Sequence, residues 1–282
     1  MDTMISSMSM ISMALSGLIG LCIVVVMYII FLKKGANHLP FWVGAATFVL
    51  FALVLEQVVY YFLMRTALWT KIVSNIWLLA IVGGFMAGLF EETGRYFAFK
   101  TVLRKKRGND TNALMYGAGH GGVEIIILLC STMVINLIFS MQFNAGLSSP
   151  FGNLDTAQAM INLPWYIYLV GALERMPAVT MHIALSVLVW FAAKDNKKFL
   201  LYPLAIFMHL FIDAVAVVLA RSCASVWVIE GAVFVTAIAF VFIAIAVWKK
   251  NHAAQVAETP AETAEVAEAA VETVEEATET QA

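Results

Sequence analysis

Charge is scarce in this chain of 282 residues: 13% are Asp, Glu, Lys or Arg, against 62% hydrophobic. Soluble domains carry about a quarter charged residues, so a water-exposed fold is excluded and the chain reads as a polytopic membrane protein. Cysteine is also sparse. Cys22, Cys130 and Cys223 sit in or beside apolar segments and form no CxxC pair, which excludes a disulfide framework or zinc–thiolate site and leaves them as small packing residues. There is no HExxH, so a zincin-type centre is not supported. No internal repeat is visible, and no nucleic-acid partner is expected. Basic residues stop at Lys250. The segment from Gln255 to Ala282 carries eight glutamates, so the formal charge of −2 hides a remainder at +6.

What is present is a series of long apolar runs. Spans are expected at 11–32, 41–63, 75–103, 113–141, 199–220 and 226–248, with a polar loop at 142–163. The first run lacks the basic start and small-residue cleavage site of a signal peptide and is kept as a helix. A further run of about thirty residues begins at Pro164. Pro177 inside it predicts a spanning helix from 177 to 193, preceded by an interfacial or broken piece. The fold expected is all-α, with about seven transmembrane helices. Basic clusters at 33–34, 104–107, 194–198 and 249–250 fall on alternate loops. The positive-inside rule then puts the N-terminus outside and the C-terminus in the cytoplasm. Residues 1–250 form the membrane domain. Residues 251–282 read as an acidic tail that could form a solvated helix but has no core, and is expected to be a disordered cytoplasmic appendage.

Ionisable groups inside such spans are costly and point to function. The third span carries Glu91-Glu92-Thr93-Gly94-Arg95, after a stretch from Trp77 to Phe90 without any charge. On a helix Glu91 and Arg95 are four apart and share a face, so the arginine is expected to hold that carboxylate, while Glu92 turns away. The fourth span aligns Tyr116, His120 and Glu124 on one face, among Gly117, Gly119, Gly121 and Gly122, which would let another helix approach closely. The fifth carries Glu174-Arg175 and His182, and the sixth His209 and Asp213. Glu92 lies 12 residues before Arg104, His182 12 before Lys194, His209 11 after Lys198 and His120 13 after Arg107. At about 1.5 Å per residue these groups share one layer near mid-membrane, which predicts one site built from the third to sixth helices. Asp213 is expected to accept from His209, and Glu124 from His120. Glu174-Arg175 is read as either a structural pair or a contributor, and Glu56 as structural or lining a water path.

A carboxylate there could take a proton from water while a histidine orients that water or stabilises an oxyanion on an amide. Alternatively His120, His182, His209 and Glu91 could ligate one divalent metal ion, zinc being a candidate. No serine or cysteine has a convincing histidine partner. A proton-coupled transporter or channel using the same groups as a relay is the alternative from a different class.

Together Glu91-Glu92-x-x-Arg95-Tyr96, the Gly-x-Gly-His-x-x-x-Glu run at 117–124, Glu174-Arg175 with His182, and His209-x-x-x-Asp213 resemble the YhfC family of intramembrane proteases. More distantly they are similar to the PrsW and CAAX-processing (CPBP) proteases. The resemblance covers about residues 75–220. It implies a multi-pass protein of a bacterial-type plasma membrane that cleaves a membrane-embedded or membrane-adjacent peptide. It also implies that Glu91 or Glu92 is the general base and that His120 and His209 complete the site, for which Arg95, Tyr116, Glu124, Glu174, His182 and Asp213 are read as supporting residues. It implies either a metal-dependent or a glutamic mechanism. CAAX-type proteases place the arginine one residue further from the glutamates and have Phe where Tyr116 stands, so prenylated substrates are not implied.

Overall fold

The computed structural model describes residues 4–222 and 225–279, with side chains up to His252; Cys223 lies outside the described residues. Its elements are all helical, and among the described residues there is no strand. Among the described residues, seven helices are long and apolar enough to cross a membrane. They are α1 (Ser7–Lys33), α2 (Leu39–Leu63), α4 (Ile76–Lys100), α5 (Thr111–Asn144), α7 (Ile167–Lys194), α8 (Leu201–Ser222) and α9 (Val226–Glu279). Two short helices that the sequence does not announce, α3 (Ala67–Ser74) and α6 (Leu154–Asn162), lie between spans, α6 within the expected polar loop.

Local chemistry starts these helices where it can. Ser6 accepts from the Ser9 amide at 3.0 Å to begin α1, and Asn75 accepts from the amides of Trp77 and Leu78 to begin α4. Asn153 and Thr156 form a reciprocal cap at the start of α6. The break expected at Pro177 in the fifth span is corrected: α7 runs unbroken from Ile167 to Lys194 with Pro177 inside it. Proline removes one donor from the ladder and leaves every other intrahelical bond available, which a membrane helix tolerates when its neighbours satisfy the freed carbonyl.

α7 is the central helix. Of its span 78% is buried, against 17–33% for the other six. Leu185, Leu188, Trp190 and Phe191 on α7 pack with Phe99, Leu103 and Tyr116 from α4, the turn after it and α5. At the basic ends, Asp110 accepts from Trp190 Nε1 at 2.8 Å, Lys194 Nζ at 2.6 Å and His252 Nδ1 at 3.0 Å, tying α5, α7 and α9 together. Lys100 Nζ donates to Asn196 Oδ1 at 2.8 Å and Arg107 donates to the Ala193 carbonyl, so the clusters at 104–107 and 194–198 meet on one face. The backbone of α9 continues as helix to Glu279, through most of the acidic segment.

Among the described residues, two of the spanning helices depart from α geometry. α2 has a π turn at Phe51–Leu55 and α5 one at Ile125–Cys130. Glu56 follows the first directly and Glu124 precedes the second. Such turns insert one extra residue and redirect the side chains beside them.

Candidate active site

The helices approach each other closely where the polar residues lie. A Cβ on Gly88 of α4 would meet the Ile206 carbonyl at 2.8 Å and His209 Cβ at 3.2 Å, and one on Gly84 would meet the Leu210 carbonyl at 2.6 Å. Glycine there lets α8 bring His209 against the glutamate pair. On α5, a Cβ on Gly117 would strike Ile183 and His182 of α7, and one on Gly119 would run into the Phe41 carbonyl of α2. The glycine run therefore serves close helix contact on two sides, which carries His120 inward.

The carboxylate of Glu91 is the meeting point. His120 Nε2 lies 2.8 Å from Glu91 Oε2, and His182 Nδ1 and His209 Nε2 each lie 3.9 Å from the same oxygen. Glu92 is wholly buried, ion-paired to the equally buried Arg95 and 2.9 Å from His209 Nδ1. Arg95 thus pairs with Glu92 three residues away, and the sequence expectation that it would hold Glu91 is corrected. Both spacings share a helix face, and the choice leaves Glu91 free to turn towards the cavity.

A second expectation is also revised. Glu124 pairs with His182, its Oε2 2.7 Å from Nε2, and not with His120. Arg175 Nη1 donates to Glu124 Oε1 at 2.6 Å and its other nitrogen reaches Glu174. Asp213 lies 3.5 Å from His209 Nε2, as a weaker partner than Glu92. Tyr116 is buried behind His120, bonded to Thr47 Oγ1 and packed on Phe99, and does not line the cavity.

A cavity of about 330 Å³ opens from this cluster, with Glu91, His182, His209, Glu124 and Asp213 in its wall. Glu174 and Arg175 line it as well, as does Glu56, whose place in the site the sequence leaves open. Each is visible in the sequence as an ionisable residue in an apolar run. A π turn lies directly before Glu56, and that has no sequence signature.

Glu91, His120 and His182 each offer one ligand atom within 4.8 Å of the others, a group that could hold a metal ion. Two imidazoles and a carboxylate are the donor types of a catalytic three-ligand set. Glu124 holds the far nitrogen of His182 as a carboxylate commonly does behind a metal-bound histidine. His209, the fourth ligand expected from sequence, stands outside that group but adjoins the same Glu91 oxygen. His120 Nδ1 is buried with no hydrogen-bond partner. The donor set fits a divalent ion.

A family model described as YhfC intramembrane metalloprotease matches residues 19–235. The chain belongs to the YhfC family. It is 32% identical over 230 residues, 77% of this chain and 88% of the relative, to the Uncharacterized membrane protein YhfC of Bacillus subtilis (strain 168). No solved structure matches. The YhfC match spans all seven membrane helices at least in part and stops before the acidic segment. The chain is a multi-pass membrane protein, and the family it belongs to is named for intramembrane metalloproteolysis.

Proposed function

We propose that this protein is an intramembrane endopeptidase that hydrolyses a peptide bond of a membrane-embedded or membrane-adjacent substrate at Glu91. The observation that carries the reading is the convergence of three imidazoles on one carboxylate oxygen of a residue in a cavity wall. A water held there attacks the carbonyl carbon of the substrate. Its proton passes to the local carboxylate–imidazole network, and the carbon–nitrogen bond breaks as the leaving nitrogen is protonated. His209, anchored at Nδ1 by Glu92, presents Nε2 to the reacting region and suits oxyanion stabilisation or proton delivery. Arg95 holds Glu92, and Glu124 with Arg175 fixes His182, so the imidazoles are oriented before substrate arrives.

Glu91, His120 and His182 would hold the divalent ion. When bound, it would supply Lewis acidity and lower the pKa of its water.

The test compares purified wild type with Glu91→Gln and His209→Ala on fluorogenic transmembrane peptides, alongside metal analysis and treatment with a chelator. Cleavage should fall by about 10²-fold or more in Glu91→Gln while the protein stays folded. Chelation should abolish cleavage and metal readdition restore it. Cleavage unaffected by Glu91→Gln would overturn the reading. So would proton flux in liposomes without cleavage of any peptide, which is the result a proton-coupled transporter gives.

A further inference from the structure

The cavity holds more negative charge than the hydrolytic chemistry uses. Arg175 is the only Lys or Arg side chain in its wall among the described residues, and it is already engaged by Glu124 and Glu174. Glu91 meets His120, and Asp213 stands beside His209. Glu56 is different. It is 6% exposed and lines the cavity, and among the described residues its side chain accepts no hydrogen bond and joins no ion pair. Glu91, His209 and Asp213 line the same cavity. Asp213 keeps 35% of its side chain exposed in the same cavity. Among the described residues the Glu56 carboxylate therefore faces the cavity with no protein partner, and a π turn at Phe51–Leu55 lies directly before it.

We propose that Glu56 and Asp213 form a subsite for a cationic side chain, a lysine or arginine of the peptide whose bond lies at Glu91. The proposal rests on the peptidase reading above and adds its substrate class: a membrane segment with a basic residue near the cleaved bond. A cation entering between two carboxylates on the cavity wall gains charge-assisted hydrogen bonds in a water-poor setting. It also relieves the repulsion among Glu56, Asp213 and Glu91. A neutral or acidic residue in that position leaves Glu56 unpartnered.

The test uses the full chain in lipid nanodiscs and a panel of single-span peptides in which one lysine, glutamine or glutamate is scanned through the central turns. Binding is read by fluorescence anisotropy on the Glu91→Gln variant, and cleavage is read separately on wild type. At one scanned position the lysine peptide should bind about tenfold more tightly than its glutamine counterpart. Glu56→Gln should abolish that preference, and Glu56→Lys should transfer it to the glutamate peptide. Asp213→Asn, at a partly exposed position, should weaken the preference and serves where a Glu56 variant folds poorly. Equal binding of all three peptides at every position would overturn the subsite, as would a lysine preference that survives both Glu56→Gln and Asp213→Asn. Cleavage by wild type without any lysine preference strikes the subsite and leaves the peptidase standing. A Glu56-dependent preference without cleavage supports the subsite and strikes the peptidase.

Discussion

Glu91 and Glu92 are adjacent in the chain, and their surroundings assign them different duties. Glu91 borders the cavity and adjoins three imidazoles, whereas Glu92 is sealed between Arg95 and His209. Glu91→Gln keeps the shape of the side chain and leaves no buried arginine unpaired, so the variant should unfold close to the wild-type temperature and lose cleavage. Glu92→Gln removes the counter-charge of a fully buried guanidinium, which costs about 3–5 kcal/mol. That variant should therefore lose stability and cleavage together, with thermal unfolding in detergent reporting the first and peptide turnover the second. Equal stability of the two variants would sink this division. The sequence carried the ionisable residues and their common depth, because charge in an apolar run stands out. It did not carry the pairing, since residues three and four apart share a face equally well and tertiary partners decide between them.

Three close crossings hold the site together, α4 on α8 at Gly84 and Gly88, α2 on α5 at Gly44 and Gly119, and α5 on α7 at Gly117. At Gly119 a Cβ would collide with the backbone carbonyl of Phe41, which can yield only if the helix moves. Gly119→Ala should therefore part α2 from α5, costing about 1–3 kcal/mol or more and lowering turnover as His120 and Glu56 shift relative to Glu91. A Cβ added at Gly83 would meet nothing within 4 Å, so Gly83→Ala should be neutral or slightly stabilising. Thermal unfolding and turnover of the pair give a direct comparison, and equal effects would remove the crossing argument. The spans and most of their ends were legible from apolar length and basic punctuation. The π turns were not, because nothing in Phe51–Leu55 or Ile125–Cys130 differs in composition from ordinary apolar helix. Pro177 misled for the opposite reason: it is a strong local signal that the packed bundle overrides.

The direction in which the cavity runs gives the bundle a functional polarity. Gln57, Leu128, Glu174 and Ala216 line it, and each lies farther from the basic end of its helix than the nearest site histidine or glutamate does. On the proposed reading, water and substrate would reach Glu91 from the half of the bundle opposite the basic clusters. Every residue in its wall precedes residue 234, and the family match ends at 235. Removal of residues 253–282 should accordingly leave peptide cleavage unchanged; a large loss would give the acidic segment a part in the reaction. If the positive-inside rule governs this chain, the cavity opens towards the outer face. In a background lacking the three native cysteines, a cysteine at Ser149 should react with a membrane-impermeant maleimide on intact cells, while one at Asn196 should react only after permeabilisation. The reverse pattern would turn the whole bundle over and make the cytoplasm the source of both water and substrate.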